Sequence, residues 1–440
     1  MIIEIKVTNY RSYKDTTSLS FEALPESENA TAYTVVKLND GSTISVLHSA
    51  AILGANASGK SNIIRAFEDI WKLVTFSRGF DVNTKIPAYH PFALDKDYST
   101  RPCTIMIDFV SENNRYQYSI TFNQNIFLSE TLLIVENGEK NVVFDRQFRE
   151  DSNGYSLKLD KGWKSKSADL SNADILGNQL LLSVLGTKDA NGLQYIYAEL
   201  LKIKTQMVNY ELDFKYNNNI AAEQVLESEQ TPIFKQLKAL LCIADKGISD
   251  VRMIKHKESE FQFPESLPAE VKAAFIQQNR WEFSFLHKGA RESSVPFPFS
   301  MESTGTKNLF GVSTMVLNAL KSGSILVYDE MNVAMHPKLF QLLVKLFHDP
   351  TTNPHHAQLV FSTHDASIVG DSLMRADQVW FAEKNAEGVS ELFSAQDFDG
   401  IKIIESFDRW YQSGRFGAIP QFSDVKKIFD DETGTEEADQ

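Results

Sequence analysis

A glycine-rich turn at residues 54–61, with the sequence GANASGKS, constrains this chain of 440 residues more than any other feature. It matches the pattern G-x-x-x-x-G-K-[ST], in which backbone N–H groups cradle phosphate oxygens. Lys60 supplies a point charge for the β- and γ-phosphates, and the Ser61 hydroxyl is a ligand for Mg²⁺. An apolar run precedes the turn and an amphipathic helix follows it. The turn therefore predicts a nucleotide site formed by Asn56, Ala57, Ser58, Gly59, Lys60, Ser61 and Asn62.

A second signal is an apolar run at 325–328 that ends in two acidic residues, Asp329 and Glu330. An enzyme with such a phosphate-binding turn needs a carboxylate at a strand end to organise Mg²⁺, which we assign to Asp329. We assign Glu330 as the general base that polarises the attacking water. Two further motifs flank this pair: ESTGTK at 302–307 before it, and FSTHD at 361–365 after a later strand.

The order of these motifs resembles that of the ABC-type (SMC/RecF/OLD-like) AAA family ATPases, which bind ATP and Mg²⁺. The resemblance implies an α/β fold, an ABC-ATPase head with a mixed β-sheet and a P-loop parallel sheet flanked by helices. It also implies homo-oligomers built on ATP-sandwich dimers, in which Ser303 and Gly305 of one protomer act on the nucleotide of the other. His364 would contact the γ-phosphate. The segment KVTNYRSY at 6–13 is similar to the start of the same group and would place Arg11 near the nucleotide.

The spacing of the motifs indicates the branch of the family. Ser61 and Ser303 are 242 positions apart, which favours the SMC/RecF/Rad50-like group with its long insertions. Heptads are not sustained, so a long coiled-coil arm is excluded. The segments YHPFALD at 89–95 and RWYQSGRFGAIP at 409–420 resemble the RloA/AbiL-type ATPases of bacterial abortive-infection systems.

Some parts of the chain depart from the family pattern. The signature reads STGT, and the glutamine loop is open between Gln117 and Gln124. His336-Pro337 resembles the RecF and OLD branches. Only 76 residues follow His364, and they carry no strand-borne Glu followed by a D-x-D pair. We therefore expect no intrinsic nuclease and a separate effector polypeptide, a nuclease or a toxin.

The motif positions also predict the domain organisation. Residues 1–150 and 301–425 form the two lobes of one ATPase, 151–300 form a mostly α-helical insertion with a few strands, and 426–440 form an acidic tail. With no run of 18 apolar residues, the chain has no predicted membrane span. Cys103 and Cys242 suit a reducing cytosol, so we expect a cytoplasmic protein.

The formal net charge of −14 argues against a protein that mainly coats DNA. The resemblance to the RloA/AbiL-type ATPases implies an ATPase subunit of an antiphage system that controls a separate effector. A RecF-like DNA-repair or DNA-binding ATPase is the alternative, and a non-catalytic scaffold is a third reading. Nucleic-acid contact would fall on two basic clusters, at 158–166 and 252–257.

Overall fold

The structure is a computed structural model that describes most of the chain. The described residues are 1–24, 30–160, 175–187, 192–206, 229–264, 266–290, 294–332, 335–366, 373–398, Tyr411, Ser413 and Gly417. The acidic tail at 426–440, Lys161 to Lys166 of the first basic cluster, and most of 409–420 lie outside them.

A seven-stranded sheet forms the first layer, and every neighbouring pair in it is antiparallel. Its strands are β1 (Ile2–Thr8), β2 (Thr17–Ser20), β6 (Cys103–Ser111), β7 (Asn114–Phe122), β8 (Phe127–Glu136), β9 (Glu139–Arg149) and β10 (Gly154–Leu159). Their order is β10-β9-β8-β7-β6-β1-β2. Alternating apolar residues such as Ile5 and Val7 bury one face of this sheet.

A six-stranded sheet forms the second layer. Its strands are β5 (Ser49–Leu53), β11 (Ile203–Gln206), β15 (Ile325–Tyr328), β16 (Gln358–Thr363), β17 (Val379–Lys384) and β18 (Ser390–Ser394). In the order β11-β15-β16-β5-β17-β18, all pairs are parallel except the last, which is antiparallel. Strands from both ends of the sequence therefore meet in one sheet around β5.

Seven helices lie in the described ranges, and all except the fifth contribute buried residues to the cores on the two faces of the second sheet. They are α1 (Lys60–Phe76), α2 (Leu181–Leu185), α3 (Leu193–Leu200), α4 (Pro232–Ala244), α5 (Ala269–Asn279), α6 (Thr304–Ser322) and α7 (Pro337–His348). Two smaller antiparallel sheets complete the described fold. One pairs β3 (Tyr33–Lys37) with β4 (Thr43–Leu47), and the other joins β12 (Ile248–Lys255), β13 (Trp281–Lys288) and β14 (Ser294–Pro298).

Two apolar cores lie on opposite faces of the parallel sheet. On β5, Ala50 and Ile52 belong to the core that contains α1 and the antiparallel sheet. Ala51 and Leu53 belong to the core that contains α4, α6 and α7. A strand buried on both faces is typical of a parallel sheet between helical layers. The predicted α/β class, with a parallel sheet flanked by helices, is confirmed. The first sheet is antiparallel rather than mixed.

The range 151–300, expected to be mostly helical with a few strands, has helices α2, α3, α4 and α5 among its described residues. The described residues of this range contain strands as well as helices, including the β12-β13-β14 sheet, because apolar and polar residues alternate at 248–255 and 281–288. The range is also joined to its surroundings: β10 extends the antiparallel sheet, and β11 pairs with β15.

Two observations bear on the remaining expectations. No helix in the described ranges is long and apolar enough to cross a membrane. Near the C-terminus, the ring of Tyr411 is buried and stacks on Phe381 with centroids 6.0 Å apart. Tyr411 of the 409–420 segment thus packs on the second core.

Candidate active site

The glycine-rich turn connects the carboxyl end of β5 to the first turn of α1. Gly54 and Gly59 have φ of 156° and 116°, in a region that side chains disfavour. Space is also restricted at both positions: a Cβ on Gly54 would overlap the carbonyl oxygen of Ala382, and one on Gly59 would lie 2.5 Å from Ser390 Oγ. Only glycine fits at these two places, so the turn is held in one tight shape.

Lys60 is buried at the base of this turn, with 4% of its surface exposed. Its Nζ donates to the carbonyl oxygens of Gly54 (2.8 Å) and Ala55 (2.9 Å). Burial lowers the pKa of Lys60, while the nearby Glu330 and Asp329 oppose that effect. An ammonium group held in this way is positioned to meet an anion that enters the turn.

The turn fits phosphate on two further observations. The Ser58 hydroxyl is buried and has no hydrogen-bond partner among the described residues. Helix α1 has Gly59 as its N-cap and makes no side-chain capping bond, so its dipole faces the turn uncompensated by a side chain. Asn56 and Ala57 are exposed at the tip, while Ser61 and Asn62 are half-buried on α1. The predicted residues therefore form one turn whose chemistry suits an anion.

Asp329 and Glu330 follow β15, two strands away from β5, with β16 between them. Ser362 on β16 connects the two acids: its hydroxyl donates to Asp329 Oδ1 (2.5 Å) and accepts from the Glu330 backbone N–H (2.8 Å). Asp329 is 6% exposed. Glu330 has a positive φ of 53°, which turns its side chain out of the strand direction. Asp329 and Ser61 carry oxygen atoms, the ligand type that Mg²⁺ prefers.

His364 lies between the turn and the acids. Its Nε2 is 2.9 Å from Glu330 Oε1, and its Nδ1 is 3.4 Å from Lys60 Nζ. Because an ammonium group can only donate, Nδ1 is the acceptor and Nε2 carries the proton shared with Glu330. The three motifs predicted from widely separated parts of the sequence are thus in contact through one histidine.

Arg11 lies beside the turn rather than inside it. Its guanidinium Nε donates to the Tyr10 hydroxyl (3.0 Å), and Nη2 is 3.5 Å from Asp69 Oδ2 on α1. Arg11 and Asn62 line an open cleft of about 600 Å³. Gln124 also lines this cleft, whereas Gln117 donates to Asp108 in the antiparallel sheet (2.7 Å). Of the two glutamines left open by the sequence, only Gln124 is placed near the nucleotide turn.

The signature residues Ser303 and Gly305 lie at the start of α6. Ser303 is the exposed N-cap of α6 and accepts a hydrogen bond from Thr306 N (3.1 Å). Gly305 lies in the first turn of the same helix. In the described ranges, no hydrogen bond or ion pair links Ser303 or Gly305 to residues 54–62. The structure thus brings Lys60, Asp329, Glu330 and His364 together and leaves Ser303 and Gly305 apart.

Sequence reasoning missed several residues of this site. Ser362 lies within the FSTHD motif, and a hydroxyl two residues before His364 was an available signal. Ser390 contacts the turn from outside and carries no signal in the sequence. Ser12 lies within the segment at 6–13, whose resemblance points to Arg11 rather than to Ser12. Asp69, the partner of Arg11, has no sequence feature that distinguishes it from the other polar residues of α1.

Residues 49–370 match the profile of a family described as "AAA domain, putative AbiEii toxin, Type IV TA system". Among solved structures, the chain is similar to the SMC head domain from Thermotoga maritima, with 14% identity, a TM-score of 0.40, and coverage of 89% of this chain and 98% of that one. It is also similar to the Smc head domain with an extended coiled coil, bound to the C-terminal domain of ScpA, from Pyrococcus furiosus. That comparison has 12% identity, a TM-score of 0.41, and coverage of 89% of this chain and 96% of that one. No curated protein matches the chain.

Proposed function

The chain belongs to the AAA-domain family matched over residues 49–370, and we propose that it is the ATP-hydrolysing subunit of an antiphage system that controls a separate effector. ATP binding and an ABC-type ATPase architecture are the general properties of this group. The observation that carries the proposal is the contact chain Lys60–His364–Glu330 at the carboxyl edge of the parallel sheet. Ligands bind at this edge in open α/β sheets.

In the proposed reaction, Lys60 and the N–H groups of residues 56–61 hold the phosphates of ATP. Ser61 and Asp329 would hold Mg²⁺, which supplies charge neutralisation on the phosphate oxygens when bound. Glu330 accepts the proton of the attacking water, and His364 orients the Glu330 carboxylate through the 2.9 Å contact. Ser362 fixes both acids relative to each other.

We further propose that the active form is a homo-oligomer built on ATP-sandwich dimers. Ser303 is exposed, and neither it nor Gly305 contacts residues 54–62 of its own chain among the described residues. A helix N-terminus suits the terminal phosphate of a nucleotide held by a second copy. Nucleotide binding would then bias a two-state assembly, which an effector can read.

Support for the effector and for antiphage defence comes from the family description, which names a type IV toxin–antitoxin system. The RloA/AbiL-like segments at 89–95 and 409–420 point the same way. The RecF-like alternative draws on the exposed residues Arg252, Lys255 and Lys257, although the Lys255 ammonium lies over the Trp281 ring at 4.8 Å. A cytoplasmic location remains part of the proposal.

The biochemical test uses the purified chain with Mg²⁺ and ATP. We expect phosphate release and an ATP-dependent shift from monomer to dimer in light scattering. Gly305→Arg should abolish the shift from monomer to dimer while ATP still binds. The control Ser322→Arg, at the other end of α6, should leave the shift intact. A chain that hydrolyses ATP but stays monomeric would refute the sandwich dimer.

The functional test expresses the chain with each neighbouring open reading frame in bacteria challenged with phage. We expect plaque numbers to fall only when the chain and its effector are both present, and to recover with Glu330→Gln. Unchanged plaque numbers together with salt-dependent binding to duplex DNA would instead support the RecF-like alternative.

A further inference from the structure

The glycine-rich turn is contacted from outside by a serine of a distant strand. Ser390 is the first residue of β18 and is 2% exposed. Its Oγ lies 2.7 Å from the carbonyl oxygen of Ser58 and 2.7 Å from Ser12 Oγ. Its backbone N–H also donates to the Ser12 carbonyl (2.8 Å). Strand β18 and the segment around Ser12 are thus joined directly beside the turn.

Ser390 Oγ is the donor toward both of its neighbours, the Ser58 carbonyl oxygen and Ser12 Oγ, so its single proton is shared between two acceptors. Asn62 Nδ2 also donates to Ser12 Oγ (2.7 Å). Ser12 therefore connects Ser390 to the first turn of α1.

A second hydroxyl holds the next carbonyl of the turn. Tyr13 is fully buried, and its hydroxyl donates to the carbonyl oxygen of Gly59 (3.2 Å). Burial raises the pKa of Tyr13, so it remains a protonated donor at ordinary pH. Side-chain hydroxyls thus bind two successive carbonyls, those of Ser58 and Gly59, and the Gly59 carbonyl also accepts from Asn62 N (2.8 Å) and Ile63 N (3.3 Å).

The orientation of these carbonyls determines where the amides point. In a trans peptide the C=O of one residue and the N–H of the next are on opposite sides of the same plane. Holding the carbonyls of Ser58 and Gly59 outward therefore directs the N–H groups of Gly59 and Lys60 inward, toward the phosphate cradle. Convergent backbone N–H groups form an anion-binding nest.

We propose that Ser390 and Tyr13 are positioning residues that preorganise this nest, with Ser12 as the link between Ser390 and Asn62. The inference rests on the proposed binding of ATP at residues 54–61. Neither residue touches the phosphates. They act by fixing two peptide planes, so the binding of phosphate requires less ordering of the turn.

The test compares Ser390→Ala with Ser394→Ala. Both serines belong to β18 and both are buried, but Ser394 bonds Gln396 N and Val379 O, away from the turn. We expect Ser390→Ala to lower the affinity for ATP about fivefold, as for the loss of one hydrogen bond. Ser394→Ala should leave that affinity within about twofold of the wild-type value. Tyr13→Phe should lower the affinity for ATP by a factor of about two to five.

A readout specific to phosphate positioning is the affinity for inorganic tripolyphosphate. It should fall by the same factor as the affinity for ATP, because the proposal places only phosphate groups in the nest. Thermal unfolding of both serine variants shows whether they lose similar stability. Wild-type protein that binds no ATP would refute the proposed function. Wild-type protein that binds ATP, with Ser390→Ala no weaker than Ser394→Ala, would refute the positioning role alone.

Discussion

The two ends of the parallel sheet carry polar clusters of very different kinds. At the carboxyl end, Lys60 is held by backbone carbonyls, and His364 is exposed toward solvent. At the amino end, buried side chains bond one another: Ser49 Oγ lies 2.8 Å from His348 Nε2, and Gln378 Nε2 donates to Ser49 Oγ (2.8 Å). The same strands run between these two ends.

The difference separates groups that hold the fold from groups that are available for chemistry. Gln358 at the amino end accepts from Ile2 N and donates to the carbonyls of Ile2 and Leu47, so its amide is fully used. At the carboxyl end, the Ser58 hydroxyl has no partner among the described residues. Buried polar groups with complete partners stabilise, whereas incompletely paired ones cluster at functional sites. Variants at each end should therefore affect different properties.

The largest effect is expected from Glu330→Gln. Removing the proposed general base should lower ATP turnover by about 10²–10⁴-fold and leave ATP binding intact. Phosphate release and nucleotide titration measure the two quantities separately. Glu391→Gln, at an exposed position on β18, is the matched control. Unchanged turnover in Glu330→Gln would remove Glu330 from the reaction.

At the opposite end, Gln358→Leu should lower the free energy of unfolding by about 3 kcal/mol. It leaves the N–H of Ile2 and the carbonyls of Ile2 and Leu47 buried without a partner. Urea unfolding measures the loss. The ATP affinity of the folded variant should not change, and Gln147→Leu on the antiparallel sheet, where Gln147 is half-buried, should cost much less. Equal losses from both variants would contradict this assignment.

A smaller effect is expected for Ser362→Ala, which removes the hydroxyl between Asp329 and Glu330. Turnover should fall by about tenfold because two acids lose their fixed relative position. Ser49→Ala removes an equally buried hydroxyl from the amino end of the sheet. That control should lower stability without lowering turnover; the reverse pattern would overturn the distinction between the two ends.

The smallest effect concerns pH. Burial is the main cause that lowers the pKa of His48 and of His348 to about 4, and a neighbouring histidine adds repulsion in each case. Between pH 6.5 and 4 the unfolded chain binds protons that the folded chain excludes, so stability is complete above pH 6.5 and falls below it. At pH 5.5 each histidine should lower the free energy of unfolding by about 1 kcal/mol.

Urea unfolding at pH 7.5 and at pH 5.5 measures this loss. The double variant His48→Gln with His348→Gln removes both titrating groups, so its stability should change less between the two pH values. If the double variant keeps the whole pH dependence of stability seen in the unaltered chain, His48 and His348 are not its cause.

Local patterns in the sequence predict much of the fold. Asn39-Asp40-Gly41 marks the turn between β3 and β4, and apolar periodicity marks α1 and α7. The interpretation of 151–300 is weaker because β11 has only four residues and gains its stability by pairing with β15. Such a strand depends on tertiary contacts, which a local pattern does not contain.

The residues of the candidate site differ in how far the sequence alone identifies them. Lys60, Asp329 and Glu330 are identifiable because each chemical role requires a specific residue type at a specific spacing. Ser12 and Ser390 are not identifiable, since a serine hydroxyl becomes informative only when its neighbour is known. They are 378 positions apart in sequence, so only the folded chain brings them together.

The place of β5 in the sheet has a consequence for biosynthesis. Its residue Ser49 pairs with Leu359 on one side, and Ala51 pairs with Val379 on the other. Ribosomes add roughly 5–20 residues per second, so this early strand waits tens of seconds for either neighbour. During that time two apolar edges are open to wrong partners. We therefore expect truncated or slowly translated forms of this chain to depend on chaperones, and the nucleotide site to be among the last parts to form.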